Sequence, residues 1–302
     1  MSEPRRGVLV MAYGTPRSLD DVEAYYTDIR HGRPPPPELL DELTARYRAI
    51  GGSPLYEITL AQAKGIEERI GVPAYLGQKH APPFIPDAVR ALAADGVERA
   101  AGLVLAPHYS TMSIGDYRRR AERAARDARW RGRLDVVDSW HLEPGYVDFL
   151  AGAVIDARAA LPDDARDGAV VVFTAHSLPA KVLASGDPYA SQLQETADAV
   201  AARASLTRWR VAWQSAGRTE VPWIGPDVLE VVDEVARDGA PAVVVCPCGF
   251  VADHLEVLYD VDVEAAAAAE RAGIALTRTR MPNDDPAFLD VVADVVRRAL
   301  DA

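Results

Sequence analysis

Two strand-like runs end on large polar side chains in the same local pattern. VLVMAYGTP (8–16) places Tyr13 after Ala12, and VVVFTAHSLP (170–179) places His176 after Ala175; in each a small residue follows and a proline closes the motif. Ligands of open α/β sheets bind outside the carboxyl ends of the strands. Tyr13 and His176, at matched ends, would therefore face one cleft from opposite sides. One such residue reads as a strand terminator; two at equivalent positions point to a site. A second constellation lies in GFVADHLEVLYDVDVE (249–264), where Asp253 can cap the following helix and Glu256, Asp260 and Glu264 recur at i, i+4, i+8 on one face. A solvated acidic face is the ordinary outcome, yet like charges one turn apart repel unless a cation or basic side chain sits among them. His176 with Glu256 supplies one imidazole and one carboxylate, an incomplete shell for ferrous iron that leaves positions open for a metal in transit.

Arg30, Arg33, Arg46 and Arg48 cluster early in an acidic chain. Arginine is the side chain best shaped to grip carboxylates, through its planar fork. RYRAIGGSPL (46–55) adds a glycine pair and Ser53, where backbone can approach a ligand closely. Lys79 and His80 in GQKHAPPF, and His108 and Tyr109 in APHYST, follow strands and have structural and functional readings in equal measure. His31, His141 and His254 read as surface or capping residues, and a helix would turn His254 away from Glu256 two positions on. A glycine-rich phosphate loop, a G-x-S-x-G elbow and an H-E-x-x-H pair are all missing from the sequence.

These residues need a scaffold, and 302 residues with 49% hydrophobic and 26% charged content suffice for about two globular domains. A net charge of −12 argues against a nucleic-acid binder and against wide docking on an anionic membrane. The start, MSEPRRGVLVMAYG, reads as a strand rather than a signal peptide, and no run reaches the ~20 apolar residues of a spanning helix. The two cysteines, Cys246 and Cys248 of CPC, read as small residues ending a buried strand. They are too few for an ordinary iron–sulfur cluster, seldom meet disulfide geometry at that spacing, and suit a reducing cytoplasm.

Continuous Val/Leu runs at 7–14, 101–108, 169–176 and 241–248 alternate with helical stretches at 19–29, 36–49, 59–70, 86–95, 114–127, 144–160, 188–203, 226–238 and 285–301. That is an α/β pattern with parallel strands buried on both faces. The halves repeat: besides the two strand ends, FIPDAVRALAADG matches WIGPDVLEVVDEVARDG, LVLAP (103–107) matches VVVCP (243–247), and EPGYVDFL matches DPAFLDVV, all in the same order. Two similar Rossmann-like domains follow, 1–150 and 151–302, with the helix about 285–301 able to pack back on the first.

LVMAYGTP, RYRAIGGSPL, GQKHAPPFI, LAPHYST, VFTAHSLP, DPY (187–189), WQSAGRT (213–219), GPDV and GFVADHLEVLYD resemble, in this order, the motifs of the ferrochelatases, over essentially the whole chain. The resemblance implies a porphyrin clamped between two Rossmann-like domains by a metal-inserting lyase. Ferrous iron is then a substrate, and no cofactor is needed. His176 and Glu256 match the pair that holds iron on one face of the macrocycle, and Tyr13 matches the residue that ligates product iron on the other. Arg30, Arg46, Tyr47, Ser53 and Tyr117 match positions that contact the porphyrin and its propionates, while Asp260 and Glu264 match an acidic row able to hold a second cation, with Arg30 and Arg46 nearby. Tyr13, together with the charged, proline-rich lip RHGRPPPPELLDELTARYR, is similar to the coproporphyrin III branch of Gram-positive bacteria. The partners implied are coproporphyrin III and ferrous iron, with a cytoplasmic monomer and no stable membrane insertion. A protoporphyrin IX ferrochelatase, a cobaltochelatase of corrin synthesis and a non-catalytic haem carrier remain as alternatives.

Overall fold

The Val/Leu runs form the central strands of two parallel sheets. In the first, β1 (Arg6–Ala12), β2 (Ala74–Gln78), β3 (Arg99–Val104) and β4 (Arg133–Val136) lie in the order β2-β1-β3-β4. In the second, β5 (Val170–His176), β6 (Trp209–Gln214), β7 (Ala242–Cys246) and β8 (Ala275–Arg278) lie in the order β6-β5-β7-β8. The chain is thus α/β with the same topology twice, as the internal repeat requires. The computed structural model describes residues 4–217 and 219–302; the first three residues of the stretch read as lacking a signal peptide, and Arg218 of WQSAGRT, lie outside the described residues. Among the described residues no helix is long and apolar enough to cross a membrane.

Alternation along the strands explains the layering. Val8 and Val10 of β1 and Val171 and Phe173 of β5 enter one core that runs between the sheets. Leu9 and Met11 face an outer core with the helices Ile85–Ala94 and Ile114–Asp127, and Val170 and Val172 face another with Val228–Arg237. Covered on both sides, these strands carry no polar face. Two helices cross over between the halves. Pro144–Ala159 lies on the second sheet, where Ala157 O accepts from Thr277 Oγ1 at 3.1 Å. Residue 150 therefore falls inside a single helix. Pro286–Asp301 lies on the first half, capped by Asp285 and pressed so tightly on Leu55–Ile70 that a Cβ on Gly65 would stand 2.5 Å from Leu289 Cδ1.

Sequence matching misplaced one equivalence. Val8 pairs with Ala101, but its counterpart Val171 pairs with Val244, three residues beyond the Pro241 that the LVLAP/VVVCP match implies. The CPC segment turns back at the strand end, Cys248 N bonding to Cys246 O at 2.8 Å, so the two β-strand exits differ; both thiols are buried and free.

The segment 249–264 is not one regular helix. Leu255–Leu258 is α-helical and Asp260–Ala265 is a π-turn, in which Val263 N and Glu264 N both bond to Tyr259 O, at 3.1 and 2.9 Å. The cap position belongs to His254, while Asp253 pairs with Asn283 at 2.8 Å and Arg278 at 3.3 Å.

Buried histidines join the halves. His108 Nε2 contacts Thr196 Oγ1 at 2.9 Å, and His141, which is buried rather than at the surface, contacts Glu195 at 2.9 Å. Burial holds His108 down at about 3 and His80 at about 4. A histidine depressed on folding stabilises fully above its free value, and that stability is lost as pH falls from about 6.5 through the folded value. Wild-type unfolding free energy should therefore drop between pH 6.5 and 4, and His108→Gln should remove up to about 1.4 kcal/mol per pH unit of that slope. Denaturant titrations with equal slopes for both proteins would contradict the assignment.

Candidate active site

His176 ends β5 in register with Gln214 of β6, so its side chain leaves at the carboxyl edge of the second sheet. Its Nδ1 contacts the Ser177 carbonyl oxygen, and its Nε2 lies 3.6 Å from Glu256 Oε1. A carbonyl can only accept, so Nδ1 carries a proton and Nε2 is the ring atom turned to Glu256. Nε2 and the carboxylate oxygen face each other directly. A proton or a metal cation between them is what this geometry accommodates, and the carbonyl on Nδ1 is the usual outer support of a metal-binding histidine.

Glu256 is set by strand residues. Gln214 Nε2 donates to the Glu256 carbonyl at 2.6 Å, while Gln214 Oε1 accepts from Thr174 Oγ1 at 2.6 Å. Burial alone would push the Glu256 carboxyl up, but His176, His254 and the Ser215 hydroxyl hold it at about 2, so it is an anion at neutral pH. His254 does reach Glu256, at 3.8 Å, contrary to the helical expectation. It precedes the helix in extended backbone (φ −162°, ψ −177°), and helical facing rules do not apply there. Burial opposes charge on His254, yet Glu256 and the Ala252 carbonyl raise it above its ordinary value.

The acidic row continues through Ser215, whose left-handed backbone (φ 59°) aims its hydroxyl at Asp260. Burial, then the charge of Glu256, push Asp260 up to about 7. Arg46 closes the row from the first half: its guanidinium lies 3.6 Å from Asp260, 3.4 Å from Glu264 and 3.2 Å from Glu42, over the Tyr259 ring at 4.8 Å. Arg46 is thus engaged by carboxylates of the protein itself. Among the described residues no group of three or more His, Cys, Asp or Glu could hold a metal, and a second cation at Asp260 and Glu264 would have to displace Arg46.

The opposite wall belongs to the first half. Tyr13 follows β1 and is 42% exposed. The His80 ring lies 4.7 Å from it, and Lys79 Nζ stands 5.8 Å from its ring and 5.3 Å from that of Tyr117. Both neighbours are fixed by carboxylates, Lys79 by Asp116 at 2.8 Å and His80 by Asp28 at 2.7 Å. Desolvation by the surrounding protein raises the phenols of Tyr13, which is still partly open to solvent, and of the buried Tyr117 and Tyr47, the last to about 12, and the charge of Glu256 raises each further. The two walls therefore share one electrostatic environment. Tyr47 is buried beside Thr15 and Tyr25. Ser53 Oγ accepts from Leu55 N at 3.3 Å at the start of its helix. Arg30 lies over Tyr26 at 5.9 Å, and its buried Nε lacks a hydrogen-bond partner among the described residues, a donor suited to a ligand carboxylate. Neither Ser53 nor Arg30 bonds to the other expected site residues. Sequence reading missed Gln214, Ser215 and Asp116; only the motif WQSAGRT hinted at the first two.

Residues 5–300 match the family profile described as Ferrochelatase. The chain belongs to the ferrochelatase family. It is 46% identical over 311 residues to the coproporphyrin III ferrochelatase of Geobacillus sp. (strain WCH70), covering 99% of each chain. It is 48% identical over 301 residues to coproporphyrin III ferrochelatase 1 of Bacillus anthracis, covering 96% of each. Among solved structures, SirB from Bacillus subtilis with Fe3+ superposes with a TM-score of 0.65 at 13% identity, over 98% of this chain and 96% of that one. The sirohydrochlorin chelatase SirB of Bacillus subtilis subspecies spizizenii in complex with cobalt gives 0.61 at 13% identity, over 98% and 96%. At that identity the likeness concerns the fold. For a ferrochelatase, porphyrin and metal ion are the substrates.

Proposed function

We propose that the protein inserts ferrous iron into coproporphyrin III, giving iron coproporphyrin III without any cofactor. The observation that carries this reading is Nε2 of His176 facing the Glu256 anion at 3.6 Å, with Tyr13 on the other wall. Glu256 offsets the charge of iron as it sheds water, and His176 ligates it or accepts a pyrrole proton. Ser215 and Asp260, held at about 7, can carry protons away from Glu256 near neutral pH. The ring nitrogens must pucker toward the metal, and a porphyrin gripped between two walls is strained in that direction. The choice of coproporphyrin rests on the relatives' names and on a lip whose Arg30, His31, Gly32, Arg33 and Pro34–Pro36 offer charge and little apolar surface. Steady-state turnover of coproporphyrin III against protoporphyrin IX with ferrous iron tests it.

Arg30→Ala should weaken coproporphyrin III about ten- to a hundredfold relative to its tetramethyl ester, the loss of one charge-assisted hydrogen bond worth about 1.5–3 kcal/mol. Arg46→Ala should discriminate less, because its guanidinium already serves Glu42, Asp260 and Glu264. Equal losses for acid and ester in Arg30→Ala would assign that arginine to the fold. Tyr13→Phe should retain most insertion activity, since a phenol raised above its ordinary value is a poor ligand for ferrous iron. Its complex with ferric coproporphyrin should lose the visible charge-transfer band of a phenolate-ligated haem; an unchanged spectrum would remove Tyr13 as the axial ligand of the product.

A further inference from the structure

The motif DPY (187–189) is left unused by the chemistry above, yet it joins the two halves at the metal-facing histidine. Asp187 Oδ2 accepts three hydrogen bonds from the loop after β3: Thr111 N at 2.7 Å, Thr111 Oγ1 at 2.8 Å and Ser110 Oγ at 3.1 Å. Its other oxygen accepts from Tyr189 N at 3.1 Å. Tyr189, at the first turn of the helix Tyr189–Arg203, donates its hydroxyl to the carbonyl oxygen of His176 at 3.0 Å. Its buried ring is wedged between Trp213 at 5.4 Å and His108 at 6.2 Å. The same loop adds Tyr109 N to Gln192 Oε1 at 2.6 Å.

We infer that Asp187 and Tyr189 are positioning residues for His176, a latch that couples the approach of the first half to the placement of the imidazole. Through Tyr189 this helix holds the carbonyl of His176 from beyond the β-ladder. Fixing it, with Nδ1 held on Ser177 O, sets the direction in which Nε2 points at Glu256. Because Asp187 binds the first-half loop and Tyr189 together, separating the halves loosens both. The latch rests on the iron-inserting reading of His176.

The test uses full-length Tyr189→Phe, Asp187→Ala and Thr111→Val. Each is measured for kcat, for KM toward porphyrin, for Co2+ affinity by visible absorption and for Tm. Tyr189→Phe keeps the packed ring, and should lower kcat and Co2+ affinity about tenfold, the usual effect of losing an outer support of a metal ligand, with porphyrin KM within about twofold. Thr111→Val, exposed and conservative, should reproduce part of the kcat loss with Tm unchanged. Its effect should vanish in the Asp187→Ala background, because both act through one carboxylate. Wild-type kcat and Co2+ affinity in Tyr189→Phe, or losses that follow Tm alone, overturn the latch. A wild type without turnover sinks the iron-inserting reading instead, and the latch is then decided by the Co2+ titration: weakened in Tyr189→Phe it stands, unchanged it falls.

Discussion

His176→Ala should still bind coproporphyrin and should lose metal insertion by about 10²–10⁴-fold, the range for removing a positioned acid–base group. The ring is only one edge of the cleft wall. Tyr13, Tyr47, Tyr117 and Arg30 stay in place, and His176 forms no hydrogen bond to any of them. What disappears is the ring nitrogen that faces Glu256. Stopped-flow binding and a metal-insertion assay on the same sample separate the two properties. Porphyrin affinity collapsing in step with turnover would make His176 a structural residue and undo the site as described.

Glu256→Gln should be nearly as severe, about a hundredfold in kcat, with the shape of the site kept. The carboxylate is anionic against the pull of burial because His176, His254 and Ser215 all favour its charge. A neutral amide cannot offset the charge of incoming iron. The same substitution carries an independent signature: Glu256 helps hold Asp260 up at about 7, so its loss should move Asp260 toward the ordinary carboxylate range. Carboxyl-selective infrared titration would register the change, and a titration unchanged by the substitution would break the proposed connection along the row.

Much of this arrangement was legible in the sequence. Duplicated strand ends in VLVMAYGTP and VVVFTAHSLP gave two sheets of equal order and put Tyr13 and His176 at matching exits. Buried central strands write themselves as Val/Leu runs because both faces are covered. Three features escaped for physical reasons. The LVLAP/VVVCP match reflects composition, which cannot fix register, and the ladder of the second sheet sits three residues beyond the one it implies. His254 was judged by helical geometry while its backbone is extended, so its reach to Glu256 was invisible. The resemblance implied Arg46 near Asp260 and Glu264; what was not legible is that these carboxylates, more than two hundred positions away in the chain, themselves engage its guanidinium. Spacing on one helix reports neighbours on that helix and says nothing about what crosses a cleft.

Iron insertion at the His176–Glu256 pair should favour coproporphyrin III over protoporphyrin IX. Its most direct measurement is anaerobic turnover of ferrous iron with coproporphyrin III and with protoporphyrin IX, at equal concentrations and followed by loss of free-base absorbance. Preferential metallation of coproporphyrin III, abolished in His176→Ala, is the predicted result. Equal or faster metallation of protoporphyrin IX, or coproporphyrin III bound without iron insertion, would contradict the account.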